Sequence, residues 1–424
     1  PSEVDPATVR VFSGPGLPLP EDIGEPRPEW MQELDILVEG EGDGVFDESD
    51  AIIFYAPGID GWTDELETDD RDEPYFENRY ANENVCWLTW EAPGVPSGFS
   101  DSPHRMAEDG LDDGPSPASV SVYLARDHFE RNVYPQQGLS DNWFWYSMNK
   151  SGIAESRYLH QELDGVVTDS TGRLRVRLDG SSDSWHRAIC ELNGVEVADT
   201  TWTSYGDLRV NVGGLQINDG YNTLKITVPR EDPGFNEDHI FIDWFDLLYW
   251  RELEARAGQL AFGSSDRTGE LLYTVDGFDQ EEIDVYKIVD RSTVRTVPGV
   301  ESFGGAGDYG ATFQDAVAGT ASYIAVDAGG YLAPDIEIDE FGDLRTPLGE
   351  EYIIITYDDF YEQALRLKNY RESVGGGGYN VRIARISDVY DEFSWGPVDP
   401  TAIRDYLKYA WDAAVVPPTH VALV

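Results

Sequence analysis

A chain of 424 residues has room for two to four domains, and 41% hydrophobic with 12% aromatic residues is the composition of folded protein, not of an acidic disordered tail. With 81 Asp and Glu against 30 Lys and Arg the formal net charge is −51, which repels phosphate and excludes nucleic acid as a partner. No apolar run is long enough to span a bilayer, and no signal peptide is evident.

Lysine occurs only at Lys150, Lys225, Lys287, Lys368 and Lys408, and acid is spread along the whole chain. Adaptation to high salt accounts for that pattern better than extensive calcium binding, the other reading of the charge. The chain opens on Pro1 inside what reads as folded sequence, so we expect a piece of a longer protein, cut at both ends.

Residues 1–115 read as an N-terminal β domain with long polar loops; VRVFSG, DAIIFYAPG and NVCWLTW are its candidate strands. Here Glu39, Glu41, Asp43, Gly44, Asp47 and Asp50 follow the positions of an EF-hand-like calcium loop, with Phe46 at the apolar eighth position. The first position is Glu, the last is Asp, and no flanking helices are evident. An acidic, solvated hairpin loop explains the run as well.

Residues 116–250 hold seven or eight alternating segments, from SVSVYLARDHF to HIFIDWFDLLYWRE, which suggest a jelly-roll-like β-sandwich. Its Trp143, Trp145, Trp185 and Trp202 are candidate platforms for carbohydrate, with core filling as the competing role, since Trp143 and Trp145 lie two apart on one strand. Residues 251–348 read as a smaller sandwich that includes GQLAFGSS, ELLYTVDGF, IDVYKIVD, ASYIAVDAGGYLAP and DIEID. Cys86 and Cys190 both fall in strand-like runs and read as small buried hydrophobes rather than nucleophiles; a disulfide between them is left open.

From 349 the period changes. Tyr352–Thr356, Val381–Ile386 and His420–Val424 are short β-branched runs, separated by two helix-period segments. Phe360, Ala364, Leu367 and Val374 are expected on one face of the first helix, and Ile403, Leu407, Ala410 and Ala414 on one face of the second. Asp399-Pro400-Thr401 supplies a helix start, and Gly375–Gly378 a stop. Strand–helix–strand–helix–strand predicts a parallel sheet with right-handed crossovers, left with an open edge at its first or third strand.

This last stretch, with YEQALRLKNYRES, a Gly turn, VRIARISDVYDEFSWG and DPTAIRDYL, resembles the start of the catalytic domain of gingipain-like cysteine peptidases. That family includes the signal-peptide-removing sortase of the type IX secretion system. DPATVRVF, DGVFDESDAIIFYAPGIDGW and YANENVCWLTW resemble the region ahead of that domain. The resemblance implies a caspase-like α/β fold, a Cys nucleophile with a His base, polypeptide substrates, an extracytoplasmic or outer-membrane-surface location, and secretion-system or cell-surface partners.

In such a sheet ligands bind beyond the strands' carboxyl ends. That places Asp358 and Asp359 after strand one, and the loop of Ser387, Asp388 and Trp395 after strand two, on the functional edge. His420 opens strand three on the opposite edge and reads as structural. In the family the catalytic His and Cys follow strands three and four, so both are expected beyond Val424, and no catalytic residue is carried onto this chain. The fold expected is therefore multidomain and mainly β: sandwich modules followed by the first βαβαβ of a caspase-like domain (349–424). The alternative function is a non-catalytic surface adhesin that binds carbohydrate or protein.

Overall fold

A computed structural model describes residues 4–14, 19–28, 30–62, 75–90, 102–110, 114, 116–135, 143–151, 153–229, 237–339, 342–346 and 349–424. The chain is mainly β and divides into two compact units. One gathers Pro1–Ala107, Ile288–Arg295 and Ala333–Val424; the other holds Glu108–Lys287 and Thr296–Leu332. The expected four-part division is thus regrouped: the N-terminal β region and the α/β segment share a unit, and so do the two sandwiches.

In the second unit the alternation read from the sequence becomes two facing antiparallel layers. One sheet runs in the order Val122–Glu130, Glu237–Glu252, Gly172–Gly180, Gly206–Leu215; the other runs Glu155–Leu163, Gly220–Val228, Trp185–Leu192, Val195–Thr203. Period two sends Leu174, Val176 and Leu178 inward, all fully buried, and each such side chain contributes about 1.5–3 kcal/mol by leaving water. The smaller sandwich adds Gln259–Gly263, Ser322–Asp327 and Ile283–Ile288 on one side, and Glu301–Gly305, Asp308–Val317 and Gly269–Phe278 on the other. Phe262, Tyr273, Phe313 and Tyr323 fill its centre, with Tyr273 and Phe313 stacked at 4.9 Å. One apolar cluster runs from Val120 through Tyr249 to Ala325, so the expected boundary near 250 is not a break in the core. DIEID is not a strand: Ile336 and Ile338 are exposed and outside every ladder.

In the first unit Arg10–Ser13 pairs with Gln32–Glu33 and Cys86–Thr89, while Ile36–Glu39 and Ala51–Phe54 make a hairpin. The parallel sheet forms as expected, but in the order Val381–Arg385, Tyr352–Thr356, His420–Leu423. Tyr352–Thr356 is therefore central and buried along its whole length, and the open edges belong to strands two and three. Of the two edges expected, strand one or strand three, the third strand is one and the first is not.

Both helical faces also differ from expectation. The helix Tyr361–Glu372 buries only Ala364 fully, because Phe360 precedes it, half exposed, and Val374 lies beyond its end in solvent. The helix Pro400–Ala413 turns Ala402, Tyr406 and Ala410 inward, leaving Ile403 and Leu407 half-buried and Ala414 outside it. Asp399 caps it as expected, accepting the Thr401 amide at 2.7 Å. The glycine run also works as expected. Gly377 and Gly378 take positive φ, and at Gly376 a Cβ would sit 1.8 Å from the Tyr370 carbonyl oxygen.

Candidate functional site

The carboxyl edge of the parallel sheet is built from Asp358, after the central strand, and Arg385, the last residue of strand two. The Arg385 guanidinium pairs with Asp358 Oδ1 and lies 4.4 Å from the centre of the Tyr361 ring. Ser387 Oγ donates to Asp358 Oδ2 at 3.4 Å. Both charged side chains are almost half exposed, so the pair orients more than it stabilises. Asp359 stands beside it, exposed in a single turn of 3-10 helix.

Ser387 and Asp388 were expected in a loop but open the helix Ile386–Phe393, which starts directly at the strand end. Burial raises the Asp388 carboxyl above the usual carboxylate range; the Arg385 charge opposes this, while Asp358 and Asp339 reinforce it. One turn on, Asp391 is pushed up to about 7, first by burial and then by the charge and hydrogen bond of Asp339. Glu392 is raised by burial as well, although it accepts the Leu344 and Arg345 amides at 2.8 and 3.1 Å.

Asp391 therefore keeps a proton in the folded protein at pH values where the unfolded chain, near 3.8, has lost it. The associated stability is present below that value and is lost as pH rises towards about 7. Asp391→Asn, with Asp339, Asp388 and Glu392 unchanged, should flatten that loss. The variant's Tm in neutral buffer should rise by about 2–4 °C over the parent, with no gain in acid, as thermal scans across pH would show.

Trp395 is not on this edge. It is buried, takes a positive φ, and its carbonyl accepts Trp87 Nε1 at 2.9 Å. Around it the N-terminal segment straps onto the helices: the Leu19 amide donates to Asp399 at 3.0 Å and Arg27 to the Phe393 carbonyl at 2.7 Å. Trp395 is thus an anchor of the unit. His420 lies at the opposite edge, parallel to the Tyr352 ring at 5.6 Å.

The five acids of the candidate calcium loop lie in and beside the turn of the hairpin Ile36–Glu39/Ala51–Phe54. Asp43 accepts the Val45 amide, Asp47 accepts Ser49 twice, Asp50 accepts the Asp47 amide, and Glu41 faces Arg105 at 3.5 Å. Their oxygens serve as turn acceptors, and among the described residues no three His, Cys, Asp or Glu groups converge to hold a metal.

The four tryptophans do not share a surface. Trp145 is buried and stacked on Phe245 at 5.9 Å, whereas Trp143 is partly exposed. Trp185 pairs with Thr203 on the outer side of its sheet, and Trp202 packs inward on His186 at 5.0 Å.

Neither thiol is placed to act as a nucleophile. Both are free; Cys190 is fully buried, and burial pushes its thiol up to about 12. Cys86 is raised by burial too, partly offset by a hydrogen bond to Ser13. A Ser–His side-chain contact that sequence reading missed, Ser147 Oγ to His239 Nε2 at 2.8 Å, lies within the second unit, on adjacent strands. The sheet edge can therefore orient a substrate group with Asp358, Arg385 and Ser387, and neither of the two free cysteines lies on it. Arg385 and Asp391 are the residues missed at this site. An arginine at the carboxyl end of the strand VRIAR was the available signal for the first.

Residues 345–424 match the model of peptidase family C25. Among solved structures, dimeric latent PorU from Porphyromonas gingivalis aligns at a TM-score of 0.69 and 16% identity, over 99% of this chain and 39% of that one. The chain thus spans about two fifths of that protein's length. Two carbohydrate-binding modules also align. One is a CBM36 domain of a xylanase from the hindgut metagenome of Trinervitermes trinervoides, at a TM-score of 0.22 and 11% identity, over 29% of this chain and 96% of that one. The other is a family 35 module from Clostridium thermocellum, at 0.20 and 12%, over 30% and 95%. Neither is close enough to inform fold or ligand here. No curated protein matches the sequence. The chain shares its fold with the Porphyromonas structure, and its residues 345–424 are similar to peptidase family C25, the gingipain family.

Proposed function

We propose that these residues are part of a longer, secreted or surface-exposed gingipain-like cysteine endopeptidase whose catalytic His and Cys are supplied by residues outside them. The observation that carries this reading is the family C25 match, which falls on the segment that folds as a parallel βαβαβ unit with Asp358, Arg385 and Ser387 at its carboxyl edge. Cys86 and Cys190 are disqualified by burial, so the nucleophile has to come from elsewhere. In the intact enzyme a His-activated thiolate attacks a peptide carbonyl and forms an acyl-enzyme, which water or an amine releases. Release by an amine makes the enzyme a sortase-type transpeptidase, the role that the type IX secretion relative suggests. Asp358 and Arg385 orient the polypeptide substrate, and secretion or cell-surface components are the expected partners.

The test is cleavage of a mixed peptide library by the intact protein in high salt, with and without a thiol-alkylating inhibitor. Inhibitor-sensitive cleavage or amine transfer is expected, while the 424-residue chain alone stays inactive. A folded intact protein that neither cleaves nor transfers would overturn the peptidase reading in favour of a surface-binding protein.

A further inference from the structure

The sheet Glu155–Leu163, Gly220–Val228, Trp185–Leu192, Val195–Thr203 turns one face to the core and the other to water. On the outer face the ladder sets Glu162 opposite Tyr221, His160 opposite Thr223, and Tyr158 opposite Lys225. Further across, Lys225 meets Glu191, Thr227 meets Ile189, and Trp185 meets Thr203. Three large rings stand in solvent there: Tyr221 is 71% exposed, Tyr158 57% and Trp185 54%. The Tyr158 and His160 rings are nearly parallel, 14° apart with centroids at 6.4 Å.

The groups between the rings define the ligand. Ser156 Oγ and Thr227 Oγ1 are 2.8 Å apart, and Thr223 Oγ1 lies 2.9 Å from His160 Nδ1, so hydroxyls line the path. Both cations in the middle of the face are matched. Arg187 holds Asp199 in a fork at 2.8 and 2.7 Å, and Lys225 holds Glu191. A polyanion would therefore have to break an ion pair to bind. Flat amphipathic rings with hydroxyls between them suit a neutral polyhydroxylated chain, whose C–H faces lie on the rings while its hydroxyls exchange hydrogen bonds. The rings are spread along the strands. From Tyr221 the path runs to Thr227, across to Ile189 and on to Trp185, about 33 Å at the rise of a β-strand. That is the scale of a polymer, not of a single sugar.

We propose that this face binds a neutral glycan chain seated on Tyr221, Tyr158 and Trp185, a role independent of the peptidase reading. The test is retention of the 424-residue chain on insoluble cellulose, xylan, chitin and mannan. Tyr158→Ala combined with Tyr221→Ala should lower affinity for the retaining polysaccharide by about tenfold or more, with the melting curve unchanged. Trp143→Ala, off this face, should leave affinity as it is. Should the double substitution prevent folding, Tyr158→Ser and Tyr221→Ser measured singly carry the same expectation. Failure to bind any of the four polymers, or binding that survives loss of both tyrosines, overturns the proposal.

Discussion

Ile354→Ala should cost the first unit about 2–5 kcal/mol, because it opens a cavity at the centre of the parallel sheet. Ile354 is fully buried on the central strand and shares an apolar cluster with Tyr352, Ala364 and Val381. Strands two and three both pair with that strand, so loosening it weakens both ladders. Urea titration followed by far-ultraviolet circular dichroism measures the loss. Phe313→Ala, stacked on Tyr273 in the other unit, serves as the comparison, with about 3–5 kcal/mol expected. A loss below about 1 kcal/mol for Ile354→Ala would mean that the sheet is not packed as described.

Gly376→Ala should destabilise by about 3 kcal/mol or more, whereas Gly375→Ala, one residue earlier, should stay within about 0.5 kcal/mol. The two sites differ sharply in what a methyl group meets. At Gly376 it would run into the Tyr370 carbonyl, rigid backbone that cannot swing aside; at Gly375 the nearest atom is Ser373 Oγ at 4.0 Å. Matched urea curves for the two variants check this. Equal effects would show that the turn is free to rearrange and that the run Gly375–Gly378 acts only as a flexible spacer.

Local patterns carried much of this molecule. Alternation with period two announced the strands of residues 116–250, and in Gly172–Gly180 it sends Leu174, Val176 and Leu178 inward, because a strand's faces are set by the backbone alone. Asp399-Pro400 announced the start of a helix, since capping needs only neighbours in sequence. Asp358 and Ser387 were expected at the edge because any parallel strand presents its carboxyl end in the same direction, and the structure joins them by a hydrogen bond.

What local pattern could not supply was decided by packing. The order of the parallel strands, with Tyr352–Thr356 in the middle, depends on which side each crossover takes, and no spacing encodes that. Trp395, eight residues after Ser387, is a buried anchor because Trp87 and Arg27 arrive from far away in the chain. The raised Asp391 carboxyl likewise depends on Asp339, some fifty residues distant along the chain. By itself the sequence determined most element types, the acidic character and the resemblance of residues 345–424 to the gingipain-like peptidases, because those depend on each residue and its neighbours. Tertiary structure alone decided which elements share a unit, which face of each helix is buried and which carboxylates meet, because burial and charge coupling arise between residues that only folding brings together.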